Sequence, residues 1–157
     1  MKDRDQGFSV LISLYARENP DYVREALDSI VRQTLQPQEI LIIKDGPLTR
    51  ELDEVVDGFA AEQSSQVRVI AYEENRGLGR VLAEGVEQCR YGIIARMDAD
   101  DIAQEDRFEK QYRVLMEHPE IDLVGSWIDE FQGDIRHIIS VRKVPATTEE
   151  IRAFAKK

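Results

Sequence analysis

Apolar residues recur along this chain in two rhythms. Short, nearly unbroken runs read as strands buried on both faces: Phe8 to Leu14 (FSVLISL), Gln38 to Lys44 (QEILIIK), Val67 to Tyr72 (VRVIAY) and Tyr91 to Met97 (YGIIARM). Between them the spacing turns helical. Asn19 and Pro20 form an N-cap and first-position pair, followed by an apolar stripe of Tyr22, Val23, Ala26, Leu27, Ile30 and Val31. Thr49 to Glu62 carries Leu52, Val55, Val56 and Phe59 on one face. Leu78 to Cys89 reads as a helix despite Gly79 and Gly85, and Gln104 to Glu117 reads as one through Phe108, Tyr112, Leu115 and Met116. Ile121 to Phe131 reads as a fifth, mostly apolar strand, with Ile135 to Val141 pairing back across a turn at Gly133 and Asp134. Thr147 to Glu150 is a capping-box pattern opening a last helix. That helix meets the chain end without a C-cap, which predicts a fragment of a longer protein.

Strands alternating with helices predict a parallel α/β sheet with right-handed crossovers. Ligands of such sheets bind beyond the carboxyl ends of the strands. Loops at Tyr15–Asn19, Asp45–Pro47, Asn75–Gly77 and Asp98–Asp101 gather on that edge. The last is the most telling, because the apolar run IIARM ends abruptly in three acids, Asp98, Asp100 and Asp101. In an extended chain Asp98 and Asp100 project to the same side, with Ala99 adding no bulk between them. Two carboxylates on one side repel each other unless a cation joins them. Mg²⁺ typically takes one or two carboxylates plus substrate phosphate oxygens, so a metal–diphosphate site competes here with a plain solvated acidic loop.

The 157 residues suffice for one domain, expected to span residues 1–157, and 42% hydrophobic with 33% charged residues is ordinary globular composition. The net charge of −10 argues against general nucleic-acid binding and against attraction to anionic membrane. The single cysteine, Cys89, excludes an internal disulfide and suits plain packing. With one Cys and two His, His118 and His137, a zinc site lacks ligands, and His118 before Pro119 suits a helix end. The amino terminus lacks a signal-peptide core and no apolar run approaches a membrane span, so the simplest location is the cytoplasm. No G-x-G-x-x-G or GxxxxGK[ST] motif is present, which disfavours dinucleotide and P-loop enzymes. Counted from Asp98, Ile102 and Ala103 stand where a calcium loop needs an oxygen ligand and a glycine.

Taken together, FSVLISLYARENPDYVREALDSIVRQTLQPQEILIIKDGP, ENRGLG, ARMDADDIAQEDRFEKQ and VGSWI resemble the family 2 glycosyltransferases, from about Phe8 to Trp127 and in register. The ARMDADD wording is closest to bacterial enzymes that build capsule, exopolysaccharide or O-antigen. The resemblance implies a GT-A fold, a Rossmann-like three-layer α/β/α arrangement with a mostly parallel central sheet. It implies a nucleoside-diphosphate sugar donor, a UDP-sugar first, with Mg²⁺ or Mn²⁺ assisting. It further implies an inverting transfer to a saccharide or lipid-linked saccharide, with peripheral membrane association of the full-length protein and a place at the membrane's inner face.

Residue by residue, Tyr15 and Glu18 fall where the family's first loop holds base and ribose. Asp45 matches the acid that reads the pyrimidine edge, although Asp-Gly is also a common turn pair. Asn75, Arg76 and Gly77 match the loop beside the nucleotide, with Arg76 alternatively a surface charge. Asp98, Ala99 and Asp100 match the D-x-D, either acid holding the ribose and Asp100, with Asp98, the metal. Asp101 is an acid behind them or, preferably, the N-cap of the next helix.

The chain departs from the family in two places. Leu82-Ala83-Glu84 stands where many relatives carry Ala-Arg-Asn, so an expected phosphate-side arginine is absent there, and whether Arg80 replaces it is left open. The usual E-D pair that supplies the base is not found in its expected surroundings. After Trp127 the acids are Asp129, Glu130, Asp134, Glu149 and Glu150, and no catalytic base is assigned. A nucleotidyltransferase would show a glycine-rich basic loop after strand one, which LYARENP is not. The remaining alternative is a catalytically incomplete nucleotide-sugar-binding or interaction module.

Overall fold

The computed structural model describes residues 7–154. Two compact units form, the first ending at His118 and the second beginning at Pro119. In the first, β1 (Phe8–Leu14), α1 (Pro20–Val31), β2 (Glu39–Lys44), α2 (Arg50–Glu62), β3 (Val67–Ala71), α3 (Leu78–Gln88), β4 (Ile93–Met97) and α4 (Arg107–Glu117) follow in order. The strands make one four-stranded sheet in the order β3-β2-β1-β4, and every pairing is parallel. The expected mostly parallel α/β sheet is thus observed.

Side-chain alternation along β1 and β2 explains the layering. Val10, Ile12, Leu14, Ile40 and Ile42 join one cluster with α1, α2 and Phe108 of α4. Leu11, Leu41 and Ile43 join the other with Val81 and Cys89 at α3. Each fully buried Leu or Ile contributes about 1.5–3 kcal/mol, so both faces are strongly specified. Cys89 is buried in packing, as its position in the sequence suggests. Gly85 lets α3 lie close, because a Cβ there would sit 2.7 Å from Ile43 Cδ1 and 2.8 Å from Leu11 Cδ1. The caps also match expectation. Asn19 Oδ1 accepts from the Asp21 N–H at 2.8 Å and the Tyr22 N–H at 3.4 Å, and Thr49 Oγ1 accepts from the Leu52 N–H at 3.3 Å.

Three expectations are corrected. The fourth helix begins at Arg107 rather than Gln104, and its N-cap is Asp106, so Asp101 does not cap it. Ile121 to Phe131 is not one long strand: only Ile128–Gln132 (β5) is extended. β5 joins no parallel sheet but pairs antiparallel with β6 (Asp134–Arg142) in its own two-stranded sheet. Asp122 and Gly125 interrupt the apolar run, and closing a short turn at Gly133 (φ +72°) costs far less entropy than a distant pairing. The hairpin itself was expected. α5 (Thr148–Phe154) opens on the expected capping box: Glu150 Oε2 accepts from the Thr147 N–H at 3.1 Å, and the Glu150 N–H donates to Thr147 Oγ1 at 3.3 Å.

One buried acid ties the amino edge of the main sheet. Glu39, 1% exposed, accepts at Oε2 from the Ser9 hydroxyl at 2.6 Å and the Arg90 N–H at 2.7 Å. Its Oε1 faces Arg68 Nη1 at 3.3 Å and Arg90 Nε at 3.6 Å. The clasp thus joins β1, β2, β3 and the entry to β4. Glu39→Gln keeps the shape but turns an amide N–H₂ toward two guanidinium groups. We expect a loss of about 1–3 kcal/mol, read as a lower urea midpoint with an unchanged slope. An unchanged midpoint would show that the clasp is neutral.

Candidate functional site

The carboxyl edge collects four loops, because parallel strands all end there. After β1, the Glu18 N–H donates to the Tyr15 carbonyl at 3.1 Å, curling Tyr15–Glu18 into a turn. After β2, the Asp45 N–H donates to the Leu14 carbonyl at 2.7 Å and extends the ladder by one step. Tyr15, Ala16, Arg17, Asp45, Gly46, Pro47 and Asn75 line an open cleft of about 340 Å³. That is near the lower limit of small-ligand pockets. Tyr15 is 41% exposed beside it.

Asp45 is buried, and its carboxylate fastens the loop after β3. Its Oδ1 accepts from the Arg76 N–H at 2.6 Å, and its Oδ2 accepts from the Gly77 N–H at 3.1 Å. Asn75 Nδ2 donates to the Asp45 carbonyl at 3.2 Å. Gly77, at φ +87°, is the N-cap of α3, so Asp45 fixes the backbone at the entry to that helix. A carboxylate has about four lone-pair sites, which leaves room for a further donor. Gly46 is required by the same junction. Its φ is +86°, and a Cβ would fall 2.8 Å from the Asn75 backbone nitrogen. Asp45, Asn75, Arg76 and Gly77 are therefore one assembly.

The Arg76 side chain leaves this junction for α3. Its guanidinium stands 4.0 Å over the Tyr72 ring, and its Nη1 pairs with Glu84 Oε2 at 2.9 Å. Arg80 Nε pairs with the other Glu84 oxygen at 3.0 Å. Glu84 thus holds both arginines, and Glu84's hydrogen bond to Tyr72 raises the phenol's pKa.

The acid loop differs from the extended chain expected of it. β4 stops at Met97, and the Asp101 N–H approaches the Asp98 carbonyl at 3.4 Å, closing a turn. Ala99, 4% exposed, is the inward residue of that turn and packs into the core. Asp98 pairs with Arg96, two residues back on the strand. Asp100 is exposed, and no hydrogen bond or ion pair holds its carboxylate among the described residues.

Burial raises the Glu18 pKa, with the negative charges of Asp100 and then Asp98 adding to it. Burial likewise raises Asp101, again reinforced by Asp98 and Asp100 and opposed by Arg107 and Arg96. Four acids from two loops thus share one repulsive field. Arg107, at the start of α4, reaches back to donate to the Arg96 carbonyl at 3.0 Å. Neither Arg96 nor Arg107 was singled out from the sequence. Arg96 had a signal, since it lies two residues before Asp98 on the same side of the strand. Arg107 had none. Among the described residues no three acids, His or Cys already converge as a metal-binding group. One free hard-oxygen carboxylate in a repulsive field nonetheless suits Mg²⁺ or Mn²⁺, which complete their shells with phosphate and water oxygens.

In the second unit three acids are held by local partners. Hydrogen bonds from Ser140 and Arg142 lower Glu130, Arg136 lowers Asp134, and the Ala146 and Thr147 N–H groups lower Glu150. A general base needs the opposite shift, toward neutrality. No described residue is assigned that role.

A helix-covered parallel sheet with an open cleft and an acid turn on its carboxyl edge is the GT-A type of fold. The model of glycosyl transferase family 2 matches residues 9–155, and the chain belongs to that family. A glycosyltransferase of Haemophilus influenzae, described only as uncharacterized, is 43% identical over 96% of this chain and 55% of its own length. The amylovoran biosynthesis glycosyltransferase AmsE of Erwinia amylovora is 37% identical over 95% and 54%. The UDP-Gal:alpha-D-GlcNAc-diphosphoundecaprenol beta-1,3-galactosyltransferase of Escherichia coli is 34% identical over 93% and 52%. The chain thus spans about half the length of these relatives. Among solved structures, S. aureus TarS 1–349 in complex with UDP-GlcNAc superposes with a TM-score of 0.62 at 22% identity, over 73% of this chain and 32% of that one. The mannosyltransferase PcManGT of Pyrobaculum calidifontis, in complex with GDP-Man and Mn²⁺, gives 0.53 at 19% identity, over 65% and 30%. Both likenesses concern the fold.

The charge cluster generates a pH test. A carboxyl whose folded pKa is raised lets the folded state hold its proton to higher pH, so folding bears the cost of burying the charge and of the repulsion above that range and none below the ordinary carboxylate range. Glu18→Gln should therefore melt above the wild type at pH 7, by up to about 2 °C. The gain should shrink as pH falls through the raised range and vanish below about pH 4. A gain independent of pH would exclude the repulsion as its source.

Proposed function

We propose that this domain binds the nucleoside diphosphate of a UDP-sugar, with Mg²⁺ or Mn²⁺, for transfer of the sugar to an acceptor hydroxyl. The observation that carries the reading is the loop Tyr15–Glu18. It lines the cleft at one end through Tyr15 and meets the fields of Asp98 and Asp100 at the other through Glu18. One loop thereby joins a site for a flat base to a site for a cation and two phosphates.

In this reading Tyr15 packs on the base, and the free lone pairs of Asp45 accept from uracil N3–H. Asn75, Arg76 and Gly77 form the rim beside the nucleotide. Asp98 or Asp100 contacts the ribose, Glu18 lies beside it, and Ala99 keeps the turn close to the core. Asp100, with Asp98, would hold the metal, which when bound would supply Lewis-acid stabilisation of charge on the leaving diphosphate. The acceptor oxygen attacks the opposite face of the anomeric carbon, and the configuration inverts. The base that takes its proton is unassigned.

Two of the relatives, one named for amylovoran biosynthesis and one for a diphosphoundecaprenol-linked acceptor, support a saccharide or lipid-linked saccharide acceptor in bacterial surface polysaccharide synthesis. On this reading the reaction takes place in the cytoplasm at the inner membrane face, with the full-length protein associating peripherally. No described helix is long and apolar enough to cross a membrane. Glu130, Asp134 and Glu150 are each hydrogen-bonded to near neighbours in the chain, and this favours one second reading, in which residues 1–157 form a single donor-binding module that does not turn over alone. Slow donor hydrolysis to free sugar by this chain would exclude that reading.

Calorimetric titration of UDP should show binding with Mn²⁺ and about tenfold weaker binding with chelator. Asp100→Asn should abolish the difference while leaving the melting temperature within about 2 °C, since an exposed rim acid contributes little to the core. Metal-dependent binding retained in Asp100→Asn would remove Asp100 from the metal site.

Asp45→Ala should weaken UDP more than it weakens GDP or ADP, by about tenfold or more, because only the pyrimidine loses its acceptor. Equal losses for all nucleotides would confine Asp45 to fastening the loop after β3.

A further inference from the structure

Between Met97 and Arg107 the chain has neither helix nor strand, so its buried backbone groups need partners from elsewhere. Two buried polar residues at the end of α1 supply them. Gln33, 4% exposed, donates from Nε2 to the Gln104 carbonyl at 2.7 Å and to the Ala103 carbonyl at 3.4 Å. Its Oε1 accepts from the Phe108 N–H at 3.0 Å. Ser29, 1% exposed, accepts at Oγ from the Ala103 N–H at 3.1 Å while donating to the Ala26 carbonyl at 2.7 Å. The Thr34 N–H adds a bond to the Glu105 carbonyl at 2.8 Å. Gln33 also bonds its own helix, at the Ser29 carbonyl, 3.2 Å away, which fixes the amide plane.

We infer that Ser29 and Gln33 are positioning residues for the acid turn. They bind the strap Ala103–Phe108 to α1 and so fix the carboxyl-terminal anchor of Asp98–Asp101. The turn's other anchor is β4, where Met97 pairs with Ile12. Ala103 is two residues from Asp101, so freeing it lets the turn pivot about the strand end. Arg107, which opposes the charge of Asp101 and Asp98, sits in the same strap and moves with it. The repulsion among Glu18, Asp98, Asp100 and Asp101 pushes the turn outward, and the clasp resists that push. The inference rests on the donor-site reading above. Its functional consequence is that the clasp governs the metal-dependent part of nucleotide affinity, whereas the cleft at Tyr15 and Asp45, held by its own bonds, is untouched.

The test compares Ser29→Ala, which removes one bond, and Gln33→Leu, which removes the amide, with Glu39→Gln, which disturbs a buried polar clasp at the amino edge of the sheet. UDP is titrated with Mn²⁺ and with chelator, and amide hydrogen exchange is followed without ligand. Ser29→Ala and Gln33→Leu should weaken UDP binding with Mn²⁺ severalfold, up to the about tenfold that the metal contributes, and leave binding in chelator unchanged. Exchange should quicken at Asp101, Ala103 and Phe108. Glu39→Gln should lower stability without either effect. Wild-type metal dependence in Ser29→Ala, or an equal shift in Glu39→Gln, would overturn the inference. Should Gln33→Leu fail to fold, Ser29→Ala decides. Wild-type protein that binds no UDP in either condition sinks the donor-site reading and the metal half of this one. Unchanged exchange at Asp101 and Ala103 in Ser29→Ala separately sinks the clasp.

Discussion

A sheet covered by helices on both faces gives its strands no outlet for polar chemistry except at the two edges. In this chain the consequence is sharp because β1 and β2 are buried along nearly their whole length. Polar side chains therefore gather where strands begin or end, and each edge has its own carboxylate fastening. Glu39 draws four chain segments together at the amino edge. Asp45 draws two loops together at the carboxyl edge. The difference lies in what each leaves available. Glu39 is enclosed among arginines and a serine, whereas Asp45 borders an open cleft. An acid can hold structure at either edge, but only at the carboxyl edge do the loops diverge enough to admit a ligand.

The carboxyl edge is also under electrostatic tension. Glu18 and Asp101 both have raised pKa values through burial and through Asp98 and Asp100. Arg96 and Arg107 offset part of this from below the turn, and neither is a surface ornament, since one sits on β4 and the other bonds the β4 backbone. Stability and ligand chemistry thus pull in opposite directions over a few residues. The surrounding packing of Ala99 and Ala103 supplies the resistance that an isolated loop of this charge would lack.

Most of the main sheet was legible in the sequence because unbroken apolar runs and capped helices are local signals. Phe8–Leu14 coincided with its expected bounds, and the Asn19 and Thr147 caps formed as their patterns require. What failed were inferences where a turn or a side-chain bond overrides the local apolar pattern. The bond from the Asp101 N–H to the Asp98 carbonyl, with Ala99 turned inward, breaks the strand alternation that placed Asp98 and Asp100 side by side. Ser29 and Gln33 occupy the interval 103–108 with side-chain bonds, so the helix expected from Gln104 starts three residues late. Asp45 was legible as a site residue but not as the anchor of a loop thirty-one and thirty-two residues away. The apolar content of Ile121 to Phe131 misled because burial and strand formation are separate matters, and a nearby turn offered β5 a cheaper partner.

The strand order has a consequence for how the chain acquires this form during synthesis. β1 lies between β2 and β4, yet β2 ends at Lys44 and β4 begins only at Ile93. One flank of β1 can therefore pair early, while the other waits for about fifty further residues to emerge, a long-range closure of the kind that slows folding. During that interval Phe8, Val10 and Ile12 present an unpaired, strongly apolar strand edge, the type of surface that recruits neighbouring chains. The nascent protein is thus most exposed to misassembly before the acid turn has been made. The last strand to dock both completes the main sheet and delivers Asp98–Asp101 to its edge, so completion of the sheet and arrival of the acid turn are the same event.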